Sequence, residues 1–280
     1  MLGFKAVNIL GGMAMFCSLA AAQDLPENIK KAGSLVIANM PNYPPLEFKD
    51  PRTSTLQGLD IDLGNAIAGK LGIRIRWSEM SFEQVVPAIS TGRVDLVLSG
   101  MSDLPSRRDT MVFVDCMVSG AQFYTNHDRA SQFSKATDLC GQKVGASRRS
   151  AFPAEIDRWS KVHCEAQGRP AIEVIGTEGS VDARTQLKQR RIAAALQGAE
   201  TLPYLMQMEP NTYALVGAPI TSVYQGIGLA KDNVALRDAI AGALKQLMEE
   251  GTYQSIMAKW NLGNMAVDRV MINSEARATN

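Results

Sequence analysis

The residues best suited to chemistry fall into two short clusters. In Tyr43-Pro44-Pro45-Leu46-Glu47-Phe48, an aromatic and a carboxyl sit on a segment whose prolines fix φ, so Tyr43 can form a rigid pocket wall. Ser99-Gly100-Met101-Ser102-Asp103, followed by Arg107, offers a backbone exposed by glycine, two hydroxyls and a guanidinium fork. Together these make a clamp for a carboxylate, each charge-assisted bond worth ~1.5–3 kcal/mol. Phe82 opens a helix on the same rim. The chemistry so described is non-covalent capture of a small polar ligand. Taken alone, the same residues also suit ordinary loop structure.

Other chemistries find little purchase. The chain has no Gly-x-Ser-x-Gly elbow, Walker loop, His-Glu-x-x-His or Cys-x-x-Cys, so nothing forces covalent catalysis. Two histidines, His127 and His163, are too few for a His-rich metal centre, and no metal or cofactor is expected. Gly226-Ile227-Gly228 lacks the third glycine of a dinucleotide fingerprint and reads as strand packing, as do Tyr213, Met206 and Met208 as core. With 29 Lys+Arg against 28 Asp+Glu, a formal charge of +1 carries no footprint for nucleic acid or an anionic membrane.

The elements that must position these clusters are legible in the hydrophobic pattern. A length of 280 residues with 46% hydrophobic content suits about two domains. Lys5 followed by an apolar stretch from Ala6 to Ala20, ending in Ala20-Ala21-Ala22, reads as a signal peptide over residues 1–22, cleaved near Ala22-Gln23. Its removal takes one base and no acid, leaving the charges in balance, and nothing later supplies a membrane span. Leu35–Ala38 reads as a strand, Ile61–Leu71 as a helix ended by Gly72, and Ile73, Ile75 and Trp77 as a second strand. Ser81 with Gln84 forms a capping box before a helix that Gly92 stops. Val94–Leu98 and Met111–Val114 follow as strands.

A more polar repeat of the architecture comes next. Strands are expected at Lys143–Ala146, Ile172–Ile175, Ile192–Leu196 and Tyr224–Leu229. Helices are expected near Ser150–Val162, Val181–Gln189, Thr201–Met208 and Asn233–Glu250, with a final short helix to Trp260. This alternation predicts α/β layers around mostly parallel sheets. Of the cysteines beyond the leader, Cys140 and Cys164 flank one predicted helix. A bridge between them is permitted in an oxidising compartment and would stabilise by ~3 kcal/mol; three free thiols with Cys116 is the other reading.

Taken in order, several motifs resemble the amino-acid type (family 3) of solute-binding proteins of ABC importers. These are Tyr43-Pro-Pro-Leu-Glu-Phe, Gly58-Leu-Asp-Ile-Asp-Leu, Pro87-Ala-Ile-Ser-Thr-Gly-Arg-Val-Asp95, Ser99-Gly-Met-Ser102 with Pro105-Ser-Arg107, Asp138-Leu-Cys-Gly-Gln-Lys-Val144, Ala243-Leu-Lys, Gly251-Thr-Tyr and Lys259-Trp260. The resemblance implies a type II periplasmic-binding-protein fold of two lobes joined by two hinge strands, with crossings near Cys116–Ala121 and Val216–Ser222. Lobe 1 would comprise 23–118 and 220–280, and lobe 2 residues 119–219. It implies ligand contacts at Tyr43, Glu47, Phe82, Ser99, Gly100, Ser102, Arg107, Ser147, Ser150 and Gly198, and a Cys140–Cys164 disulfide. It also implies a periplasmic, monomeric binder that hands its ligand to the transmembrane subunits of an ABC permease.

The sequence departs from the pattern at Gly198, where an Asp that meets the ligand ammonium is expected, and at Arg148 and Arg149, which stand where small residues precede Ser150. Either Glu200 or Glu178 takes over the missing charge, or the ligand is not a simple α-amino acid. The expectation is an organic acid, an acidic amino acid or an amino-acid conjugate. The rival is an exported cyclohexadienyl or arogenate dehydratase-like enzyme on the same fold, with Glu47 and Glu178 the only candidate acids.

Overall fold

The computed structural model describes residues 25–148 and 150–274. The expected leader with its cleavage site, and Arg149, lie outside the described residues. The chain opens with α1 (Glu27–Ala32) and β1 (Ser34–Asn39), then a small antiparallel sheet of β2 (Asn42–Tyr43), β3 (Glu47–Lys49) and β4 (Leu56–Gln57). After α2 (Leu59–Leu71) come β5 (Arg74–Glu79), α3 (Phe82–Ser90), β6 (Leu96–Val97), β7 (Met111–Ser119) and β8 (Ala121–Asn126). The middle of the chain forms β9 (Lys143–Ser147), α4 (Phe152–His163), β10 (Glu173–Thr177), α5 (Ser180–Lys188), β11 (Ala194–Gly198), α6 (Leu202–Met208) and β12 (Tyr213–Val216). The chain closes with β13 (Val223–Ala230), α7 (Val234–Glu249), α8 (Thr252–Lys259) and β14 (Ala266–Ile272).

Two main sheets result. The six-stranded sheet runs β14-β7-β13-β6-β1-β5 and the five-stranded one β10-β9-β11-β8-β12. Parallel pairing holds where helices return the chain, at β5, β1 and β6 and at β10, β9 and β11. The remaining pairs are antiparallel. The sheets are therefore mixed rather than mostly parallel. The cause is a set of antiparallel strands, β8, β12 and β14, that the hydrophobic pattern did not reveal, and an unexpectedly long β7. The chain passes between sheets twice, at Gly120 and over residues 217–222. The passages touch: Ile220 donates its N–H to the Ala121 carbonyl at 2.7 Å, and a Cβ on Gly120 would lie 2.0 Å from the Thr221 carbonyl oxygen.

Each sheet carries core on both faces. Under α2, α7 and α8 the main cluster includes Leu35, Ile37, Leu63, Ile67, Leu236, Ile240, Leu244 and Leu247. These α7 side chains are at most 1% exposed, each contributing ~1.5–3 kcal/mol by leaving water. The opposite face packs α3 through Val85 and Ile89 against Val97 and Phe113. The five-stranded sheet buries Phe123, Val144 and Ile156 on one side and Tyr124, Leu187 and Tyr213 on the other. Gly226 and Gly228 lie within β13, as packing predicted, and Tyr213 is core; Met208, by contrast, is exposed. Cys140 and Cys164 are joined, tying the turn before β9 to the end of α4.

Candidate functional site

The C-terminal ends of parallel strands are where an open α/β sheet presents its ligand-facing loops. Those of β1 and β6 from one sheet, and of β9, β10 and β11 from the other, open onto a shared cavity of about 310 Å³. Nine of the ten residues expected to meet a ligand line it: Tyr43, Glu47, Phe82, Ser99, Gly100, Ser102, Arg107, Ser147 and Ser150. Gly198 does not, although its neighbour Gln197 does.

On the six-stranded side, the capping box of Ser81 and Gln84 starts α3 at Phe82, presenting that ring to the rim. The single 3-10 turn Pro105–Arg107 then swings the Arg107 guanidinium over Phe82, 5.4 Å from the ring centroid. Its Nη1 donates to the Ser102 carbonyl at 2.7 Å. Burial lowers the Arg107 proton affinity, while the charges of Glu155 and Asp103 oppose the shift. The stacking is of the kind worth ~0.5–2 kcal/mol.

The Ser99 hydroxyl and Gly100 amide, expected to hold a ligand carboxylate, are committed elsewhere. Ser99 Oγ donates to Glu47 Oε1 at 2.7 Å and accepts from the Met40 N–H at 3.1 Å. The Gly100 N–H donates to Asp60 Oδ2 at 2.9 Å. Glu47 and Asp60 are buried acids that act on one another. Burial and then the Asp60 charge push Glu47 well above the usual carboxyl range, and burial pushes Asp60 to about 6. Of the four groups expected to hold the carboxylate, Ser102 and Arg107 remain beside the cavity without a carboxylate partner among the described residues.

Glu200 accounts for the missing side chain at Gly198. A Cβ there would fall 2.0 Å from Glu200 Oε1, so the glutamate carboxylate fills that space. It is fully buried. Tyr43 Oη donates to Oε1 at 3.1 Å, Gln225 Nε2 donates to Oε1 at 3.2 Å, and the Ser119 hydroxyl donates to Oε2. Tyr43 Oη also accepts from the Gly198 N–H at 3.2 Å, so the phenol joins the two walls of the cavity. Burial raises the Glu200 pKa against these hydrogen bonds; burial and then the Glu200 charge raise that of Tyr43.

The other wall is built from hydroxyls and an exposed ion pair. Ser150 Oγ donates to the Ser147 carbonyl at 2.8 Å and accepts from the Phe152 N–H at 3.2 Å. It thereby takes up the N–H of Phe152, the first residue of α4, which starts two residues later than the pattern suggested. Arg148 pairs with Glu178 at 2.8 Å, both side chains well exposed, at 48% and 67%. Met40, Phe152, Gln197 and Gln225 also line the cavity and no motif flagged them, while Ser81, expected only as a helix cap, lines it too. Gln225 could have been found only from the antiparallel register of β13. Cys116 is a buried thiol raised by its burial, its Sγ 3.7 Å from the Gln225 carbonyl. Among the described residues no cluster of three or more His, Cys, Asp or Glu could hold a metal ion.

A two-sheet α/β molecule with a polar cleft at the strand ends and an arginine at its rim has the build of a solute-binding protein. Residues 35–263 match the bacterial extracellular solute-binding proteins, family 3, and the chain belongs to that family. It is 27% identical to the arginine-binding protein ArgT of Corynebacterium glutamicum over 90% of this chain and 82% of the relative. It is 25% identical to the lysine/arginine/ornithine-binding periplasmic protein of Escherichia coli, covering 91% and 95%. An ancestral arginine-binding protein bound to arginine superposes with a TM-score of 0.71 at 29% identity, covering 81% of this chain and 98% of that one. A type II periplasmic-binding fold is thereby established. The ancestral amino-acid-binding protein AncCDT-1, a precursor of cyclohexadienyl dehydratase, shares the fold with a TM-score of 0.71 at 24% identity, covering 83% and 97%. Among the described residues no helix is long and apolar enough to cross a membrane.

Proposed function

We propose that this protein is the extracytoplasmic solute-binding component of an ABC importer. It captures a small polar, carboxylate-bearing solute, an amino acid, amino-acid derivative or organic acid, in the cleft and delivers it to the transmembrane permease. The supporting observation is Arg107, stacked on Phe82 and anchored to the Ser102 carbonyl beside a cavity lined from both sheets. Lobes of 23–118 with 220–280, and of 119–219, would rotate about the two chain crossings and close by their greater affinity for ligand in the shut form. Residues 1–22 would direct export to the periplasm, where the protein would act as a monomer. Calorimetric titration with a carboxylate panel tests this: saturable heat lost in Arg107→Ala supports it, and no heat from any member overturns it.

One observation favours the rival enzyme. Glu47 lines the cavity and is held toward its neutral form, as a general acid must be. Its Oε1 is tied to Ser99, however, and the carboxyl lies fully buried. Conversion of prephenate by the purified protein would decide for that reading.

A further inference from the structure

The charged groups around the cavity do not balance, and the imbalance selects a ligand. Three acids line it: Glu47, Glu83 and Glu178. Glu178 is ion-paired with Arg148 at 2.8 Å, and Glu83 is not free. Glu47 is buried; its Oε1 accepts from Ser99, its Oε2 has no hydrogen-bond partner among the described residues, and burial and the Asp60 charge hold the carboxyl toward its neutral form. Glu200 lies behind Gly198 with both oxygens engaged by Tyr43, Gln225 and Ser119, while Glu155 and Asp103, whose charges reach Arg107, and Asp60, which holds the Gly100 amide, are not part of the cavity lining. Against these stands Arg107, which among the described residues has the Ser102 carbonyl and the Phe82 face but no ion pair. The wall therefore offers a cation to an incoming anion, and its one carboxyl with an unpartnered oxygen, Glu47, is held toward the uncharged form rather than offered as a counter-charge to an incoming cation. Desolvating an ammonium without a counter-charge is strongly unfavourable.

Gln225 supplies the second half of the argument. It lines the cavity at 6% exposure, and its Nε2 is fixed on Glu200, which turns Oε1 the other way. That oxygen has no hydrogen-bond partner among the described residues. A buried acceptor calls for an N–H or O–H donor, and with no ionised carboxylate free beside it the donor that avoids a charge cost is a neutral one.

We infer that the ligand is a carboxylate whose carboxyl meets Arg107 and which carries a neutral donor, an acylated N–H or a hydroxyl, where an amino acid carries its ammonium. The inference rests on the solute-binding reading above and narrows it. The test is calorimetry of the full exported chain with matched triplets: an L-amino acid, its N-acetyl derivative and its 2-hydroxy acid, for apolar, amide and acidic side chains. The expected result is a triplet in which the acetylated or hydroxylated member binds at least tenfold tighter than the amine, with no triplet led by the amine. Which member wins separates an amide donor from a hydroxyl. Parity, or a lead for the amine, overturns the inference; if Arg107→Ala then abolishes that binding, the solute-binding reading survives alone. No binding by any triplet removes both. Arg148→Met gives an independent check, because it strips Glu178 of its counter-charge at the cavity wall. Amine affinity should rise at least threefold over wild type, and an unchanged amine affinity counts against the charge argument.

Discussion

The two walls of the cleft differ in how their polar groups are held. Where the six-stranded wall meets the cavity, the buried carboxyls Glu47 and Asp60 hold their donors, Ser99 and Gly100, and Tyr43 reaches across to the buried Glu200. On the five-stranded side, at the ends of β9 and β10, the charged pair Arg148–Glu178 is exposed and the hydroxyls of Ser147 and Ser150 sit at the mouth of α4; Glu200, just after β11, is instead buried against the other wall. Low dielectric strengthens the first set and makes any broken member costly, whereas solvent weakens the second. The first set is held rigidly by burial; the second is held loosely at the surface.

Substitution should expose that contrast, beginning with the largest effect. Arg107→Ala should weaken binding of a carboxylate ligand by at least about 100-fold, roughly 2.8 kcal/mol, read by calorimetry. Glu200→Ala should destabilise by about 2–3 kcal/mol in denaturant melts, since it strands the Tyr43, Ser119 and Gln225 donors. Arg148→Ala, breaking a solvated pair on the other wall, should cost less than about 0.5 kcal/mol in the same melts. A loss from Arg148→Ala comparable to that from Glu200→Ala would erase the distinction.

The buried acids also set a pH signature. Asp115, in β7, is raised to about 7 by burial and the nearby Asp103 charge, and Asp60 to about 6 by burial. Between those values and the ordinary carboxyl range near 4, the folded state holds protons that the unfolded chain has released. Stability therefore rises as pH falls from 8 to 5, and thermal melts should move upward over that interval. Asp115→Asn should raise the melting temperature at pH 8 and flatten the profile; a wild-type melt lower at pH 5 than at pH 8 would contradict this.

What the sequence disclosed follows the range of the interactions involved. The capping box at Ser81, the helix stop at Gly72 and the apolar stripe of α7 depend on residues a few positions apart, and the structure keeps them. Strands β8, β12 and β14 pair antiparallel across long separations, and β8 is buried at every position, so no alternation marked it. The clamp residues were found by type, but their partners were not. Glu200 was offered as an ammonium partner. Its inward turn depends on Tyr43, 157 residues away, and on the space that only a glycine at 198 leaves.

Glu200 also touches the last residue of β7 through Ser119 and a residue of β13 through Gln225, the two strands beside the chain crossings. A rotation at those crossings would drag the carboxylate with it and so tilt the phenol that stands against the cavity. Bending and grip would then be geared through one side chain, like a cam riding between two levers.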